Sequence, residues 1–138
     1  MEGNKVKELQ LDALTENLDR VLEFIEEQLE QYDCPNKTVI QIKIAVEELF
    51  VNIAHYAYGE ETGYAIIQTE TEAGKIKITL IDGGMHDNPL EKKDPDVTLS
   101  AEERQIGGLG IYMVKKSMDS VEYEYVDEKN CLTITKTW

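Results

Sequence analysis

Three short patches of this chain carry residues able to handle a phosphorylated ligand. Glu48 and Asn52 stand four apart in a long apolar segment, so on a helix they share a stripe with His55 or Tyr56. A buried carboxylate without a partner is costly, so that stripe should face a cavity or a ligand. The alternative is a solvated Glu47–Glu48 pair with Asn52 bonded to backbone. Asp82-Gly83-Gly84 follows a strand-like run that delivers Asp82 to a sheet edge, where the glycines let a ligand approach the backbone. An ordinary Asp-Gly turn fits the same three residues. Gly107-Gly108-Leu109-Gly110 opens a second apolar segment. Glycines at a helix start leave backbone N–H groups free for an anion, which the helix dipole also attracts. A flexible loop meeting an apolar helix is the competing reading.

The remaining sequence must build the elements that hold these patches. Val6 to Leu11 alternates and predicts a first strand. From about Asp12 the spacing turns helical, with Leu14, Leu18, Val21 or Leu22, Ile25 and Leu29 on one stripe. Pro35 disfavours helix at Cys34, which ends this helix near Tyr32 or Asp33. Thr38 to Tyr58 predicts a second helix, apolar nearly all round and hence mostly buried, with Gly59 as its stop. Strands follow at Tyr64–Thr69 and Lys75–Ile81, joined around Ala73-Gly74. Asp82 to about Ile106 has no clear period and contains Pro89 and Pro95, the pattern of a functional loop or lid. Within it, Ser100-Ala101-Glu102-Glu103 is a capping box that predicts a single helical turn. Gly108–Ser117 predicts a third helix, and Val121–Val126 and Cys131–Thr137 two final strands. Three helices can cover one face of such a sheet, which gives a two-layer α/β (α+β) sandwich.

Composition narrows the function. A chain of 138 residues, 41% hydrophobic and 30% charged, is expected to be one soluble domain spanning residues 1–138. No apolar run is long enough for a bilayer, and Met1–Lys5 lacks the start of a signal peptide, so the expected location is cytoplasmic with no membrane partner. A net charge of -14 argues against nucleic acid, which needs clustered Lys and Arg. It suits docking to a basic protein surface, or simply solubility. Cys34 and Cys131 form no C-x-x-C pair and there are 2 histidines, so neither a zinc site nor a disulfide is expected.

In this order and spacing the three patches resemble the N, G1 and G2 boxes of the GHKL ATPase/kinase superfamily, over a stretch from about Thr38 to the C-terminus. The short length and the wording of the boxes are most similar to the anti-sigma factor serine/threonine kinases. The resemblance implies the Bergerat fold of histidine-kinase-like ATPases: a mixed, mainly antiparallel sheet with three helices on one face. It implies ATP and Mg²⁺ as ligands. Glu48 would be the general base and Asn52 the metal ligand. Asp82 would accept a hydrogen bond from the exocyclic amine of adenine, and Gly84 would clear space beside it. Gly107, Gly108, Leu109 and Gly110 would hold the phosphates. Arg104 would reach the γ-phosphate; a solvated Arg beside Glu102 and Glu103 is the other reading. The adenine-side residue of the last strand, a Thr in similar kinases, falls on Cys131 or Thr133.

The chain departs from the family pattern twice. Ala57 and Tyr58 are displaced by an inserted-looking Tyr56, and Asp87 stands where an aromatic precedes Asn88-Pro89-Leu90. No Walker A, H-R-D or D-F-G signature is present. The expected function is transfer of the γ-phosphoryl of ATP to a serine or threonine of an anti-sigma factor antagonist, by a homodimer that also binds a sigma factor. The alternative is a nucleotide-binding module that sequesters a partner with little or no catalysis. A detached ATP-binding domain of a histidine kinase fits less well, because neither His55 nor His86 is placed as a phospho-acceptor.

Overall fold

The computed structural model describes residues 5–91 and 108–138. Its elements are β1 (Lys5–Asp12), α1 (Leu18–Gln31), α2 (Asn36–Asn52), β2 (Tyr64–Glu72), β3 (Lys75–Asp82), α3 (Gly108–Ser117), β4 (Ser120–Val126) and β5 (Lys129–Thr137). The five strands form one sheet in the order β1-β2-β3-β5-β4, and all four neighbouring pairs are antiparallel. The expected two-layer sandwich is therefore observed, three helices against a five-stranded sheet. The capping box at Ser100–Glu103 lies outside the described residues.

Strand parity decides which side chains meet the helices. Along β3, Ile76, Ile78, Leu80 and Asp82 are buried while Lys75 and Lys77 point to solvent. Along β5, Asn130, Leu132 and Ile134 are the buried set. Phe50, Ile42, Ile25 and Leu29 of the helices complete the core against Ile67, Ile78 and Ile134 of the sheet. Each such side chain contributes about 1.5–3 kcal/mol relative to its exposed state.

The first helix begins later than the periodicity predicts. The ladder with β2 holds the chain extended through Asp12, and a short 3₁₀ turn at Thr15–Asn17 precedes α1. Asp33, at φ 56°, takes the left-handed conformation just before Pro35 and turns the chain toward α2. Helix α2 is not buried all round: Ile40 and Ile44 remain 57% and 61% exposed on its outer face. Among the described residues, α1 and α3 flank α2 and leave that outer stripe uncovered.

The end of α2 explains the inserted-looking residue. After Asn52 the helix widens into a π-helical turn, Ile53–Ala57, which stops at Tyr58 and Gly59. A π turn absorbs one extra residue without breaking the helix. Asn52 and Tyr58 thus both keep their places despite Tyr56. Among the described residues, no helix is long and apolar enough to cross a membrane.

Candidate functional site

The π turn, the ends of β3 and β5 and the segment after β3 enclose a cavity of about 320 Å³. Its floor is apolar, formed by Leu49, Leu80 and Leu132, and its polar groups are few: chiefly Asn52, Asp82, Asp87 and Asn130. That composition and size are typical of a small-molecule site.

Asp82 ends β3 in phase with Leu80 and is 5% exposed. Its Oδ1 accepts hydrogen bonds from the Gly84 N–H at 2.9 Å and from Asn130 Nδ2 at 3.0 Å. Among the described residues no group donates to Oδ2, and Asp82 lines the cavity. Burial pushes the Asp82 carboxyl above the usual carboxylate range, the bonds from Asn130 and Gly84 pull it back, and the charge of Asp87 adds to the rise. An acceptor oxygen held at an apolar floor reads a donor on a flat ligand.

The glycines after Asp82 fit tightly. A Cβ on Gly84 would lie 2.2 Å from the Ala57 carbonyl oxygen, which also accepts the Met85 N–H at 2.9 Å. The segment thereby closes on the π turn. Tyr58 secures the same junction, donating from its hydroxyl to the Tyr64 carbonyl and accepting from the Gly83 N–H, each at 2.7 Å.

Glu48 and Asn52 are joined as their spacing predicts. Asn52 Nδ2 donates to Glu48 Oε2 at 3.2 Å, so its amide oxygen is the atom available to the cavity it lines. Such an oxygen is a suitable hard ligand for Mg²⁺, which takes few protein ligands beside phosphate and water. Tyr56, not His55, continues the stripe into the cavity wall. Glu48 stands just outside that wall, half-buried beneath α3. A Cβ on Gly110 would come within 2.0 Å of Glu48 Oε2, so a larger residue there would displace the carboxylate from this position.

The remaining expectations divide. Gly108, Leu109 and Gly110 do open a helix, with α3 starting at Gly108. Arg104 and Gly107 lie outside the described residues. The aromatic missing at Asp87 is supplied one residue earlier. The His86 ring stacks on Tyr125 at 4.0 Å between centroids, with Tyr123 beyond at 6.1 Å.

The adenine-side residue requires correction. Cys131 and Thr133 have the parity of the outer sheet face, opposite Ile81 and Thr79, and Thr133 shares a 3.0 Å hydroxyl contact with Thr79 there. Neither lines the cavity; Asn130 and Leu132 do. Reading the parity forward from Asp82 would have required the β3–β5 register, which sequence does not supply. Tyr123 of β4 was missed for the same reason.

Comparison with known proteins agrees with this geometry. Residues 11–136 match the family described as histidine kinase-like ATPase domain. The serine-protein kinase RsbW of Listeria monocytogenes serovar 1/2a is 30% identical over 105 residues, covering 72% of this chain and 66% of that protein. RsbW of Bacillus thuringiensis strain Al Hakam is 29% identical over 99 residues, covering 69% and 61%. The chain thus spans a little under two thirds of the relatives it matches. A crystal structure of the RsbU and RsbW domains of Rv1364c from Mycobacterium tuberculosis superposes with a TM-score of 0.68 over 96% of this chain and 32% of that one, at 15% identity, a likeness of fold. With Asn52 and Asp82 lining one cavity, Glu48 against the start of α3 and the match running over nearly the whole chain, this protein belongs to the histidine kinase-like ATPase domain family, distantly homologous to the RsbW serine kinases.

Proposed function

We propose that this chain is an ATP-dependent serine/threonine protein kinase of the anti-sigma factor type. The observation that supports it most is the arrangement on α2. Asn52 lines the cavity that Asp82 also lines, and one turn back Glu48 lies against the glycine-opened start of α3. A base reader, a metal-ligand oxygen and a proton acceptor thus follow one another along a single path.

In this reading Asp82 Oδ2 accepts the exocyclic amine of adenine, whereas the carbonyl of guanine would meet it acceptor to acceptor. Asn52 would hold Mg²⁺ through its amide oxygen, and the ion when bound would supply charge neutralisation on the phosphates. The N–H groups at the start of α3 face the phosphates. Glu48 takes the proton of the acceptor hydroxyl as that oxygen bonds to the γ-phosphorus and the bond to ADP breaks. Catalysis here is positioning and charge stabilisation rather than covalent chemistry by the protein. The phospho-acceptor would be a small anti-sigma factor antagonist, with a sigma factor as the competing partner and a homodimer as the working form.

The test is calorimetric titration with ATP and with GTP, each with Mg²⁺, followed by transfer from γ-labelled ATP to a candidate antagonist. Saturable ATP binding and label on a serine or threonine are expected. ATP binding with no transfer to any antagonist would replace the kinase by a nucleotide-gated sequestering module. No binding by folded protein would overturn both.

A further inference from the structure

Asn130 is the most heavily bonded side chain at the cavity, and none of the three boxes contains it. It is 7% exposed and sits across from Asp82 in the β3–β5 ladder. Nδ2 donates to Asp82 Oδ1 at 3.0 Å and to the Met85 carbonyl at 2.8 Å. Oδ1 accepts the Asp87 N–H at 3.2 Å and the Tyr123 hydroxyl. An amide group has two donors and a carbonyl with two lone pairs, so every bond it can make is made. Reversing the amide would set its oxygen against the Met85 carbonyl and the Asp82 carboxylate, so the network admits one orientation.

We propose that Asn130 is a positioning residue that sets which purine the cavity accepts, by holding Asp82 with Oδ2 toward the ligand and tying Met85–Asp87 to the same amide. The inference rests on the nucleotide reading above and goes beyond it to the residue that fixes selectivity. Asp82 alone would not discriminate reliably. A carboxyl free to turn, or to take up a proton, offers the cavity a donor as readily as an acceptor, and a donor welcomes a 6-oxo purine. Two donors on Oδ1, from Asn130 and Gly84, favour the ionised form and fix its rotamer. The rim follows from the same residue. Met85 and Asp87 are both bonded to Asn130, and between them His86 stacks on Tyr125. Among the described residues, the titratable groups electrostatically coupled to Asp82 are Asp87 of the rim, Tyr123 of β4, Tyr58 beyond the π turn and Cys131 of β5, while His86 lines the same cavity. None of these described groups coupled to Asp82 is a cation, so among the described residues the bonds from Asn130 and Gly84 are what favour the ionised form against burial.

The experiment compares wild type with Asn130→Ala and N130D for binding of ATP, ITP and purine riboside triphosphate, which lacks any 6-substituent. Wild type should prefer ATP to ITP, and each variant should lose about tenfold of that ratio. Purine riboside triphosphate should bind all three proteins within about threefold. N130D keeps the side-chain volume and serves if the alanine variant does not fold. A uniform weakening of all three nucleotides with the ratio preserved would reduce Asn130 to a structural role and overturn the proposal. Wild type that binds no nucleotide would instead overturn the nucleotide reading. In that case carbon NMR of the Asp82 carboxyl in the free protein decides: a higher titration in the variants supports the clamp, and an unchanged one overturns it.

Discussion

The two ends of the site are built by different means. At the sheet end, Asp82 is buried in a strand, its Oδ1 doubly bonded and its partner Asn130 saturated. At the helix end, Glu48 is half-buried on α2, and among the described residues its one side-chain hydrogen bond is the 3.2 Å contact from Asn52. The sheet end is over-determined and suits recognition, where one rotamer must persist. The helix end is loosely held and suits proton transfer, where a carboxylate must accept a new partner during the reaction. Substitutions at the sheet end should therefore change binding and stability, and those at the helix end turnover.

The largest effect should come from Glu48→Gln. Phosphoryl transfer should fall by about 10²- to 10⁴-fold, the usual worth of a positioned general base. ATP affinity, read by calorimetry, should stay within about threefold. Equal loss of both would erase the division between the ends.

Two glycines sharpen the contrast. At Gly84 a methyl group would strike the Ala57 carbonyl, a backbone atom that cannot swing away. Gly84→Ala should cost about 1–3 kcal/mol in denaturant unfolding. At Gly110 the methyl would strike the end of the Glu48 side chain, which can rotate. Gly110→Ala should leave stability unchanged or raise it by up to about 1 kcal/mol through helix propensity. Transfer should nevertheless fall by up to about a hundredfold as the carboxylate is displaced. Gly110→Ala that unfolds the protein would show that Glu48 is held as rigidly as Asp82.

What the sequence revealed follows from the kind of information each feature uses. Glu48, Asn52 and the glycines at 108 and 110 depend on local spacing along one helix, and the structure sets them where that spacing predicts. The strands at β2 and β3 were legible because their burial runs in strict alternation. Asn130 and Tyr123 depend on which residue of β5 lies opposite Asp82, a matter of register between strands 48 residues apart at that point. A one-residue slip reverses the face, which is how Cys131 and Thr133 came to stand in for Asn130. The outer stripe of α2 was misread for a related reason. Apolar composition gives the helix face that can be buried, while the number of neighbouring elements decides how much of it is. Among the described elements, no third neighbour covers α2 at Ile40 and Ile44.

Asp82→Asn probes the sheet end at smaller amplitude. An amide there presents a donor to the amine of adenine, so ATP affinity should drop roughly 10- to 100-fold, the worth of a charged hydrogen bond. Thermal stability should move the other way. The substituted amide still has a carbonyl oxygen to accept from Gly84 and Asn130, without the cost of a buried charge, so the midpoint at neutral pH should rise. A fall would mean that the carboxylate stabilises the fold rather than burdening it.

The smallest effect is in pH dependence, where two carboxylates push in opposite directions. Asp82 has its folded pKa raised by burial above 3.8, so between that value and the raised one the native state binds more protons than the unfolded chain. Stability should therefore increase as pH falls through that window and be lost again as pH rises. Asp119 is exposed just before the start of β4, where Oδ2 accepts the Thr137 hydroxyl at 2.7 Å and the Thr137 N–H at 2.6 Å. These bonds hold its carboxyl below 3.8, so its contribution is present above 3.8 and disappears as pH falls through the lowered value. Denaturant midpoints across the acid range should thus rise and then fall on acidification. Asp82→Asn should remove the rise and leave the fall, and Asp119→Asn should do the reverse. Solvent screens Asp119, so its arm should be the shallower of the two. If Asp82→Asn leaves the rising arm intact, the carboxylate that the sheet end buries is not the one that titrates there, and the contrast with the lightly bonded Glu48 loses its electrostatic basis.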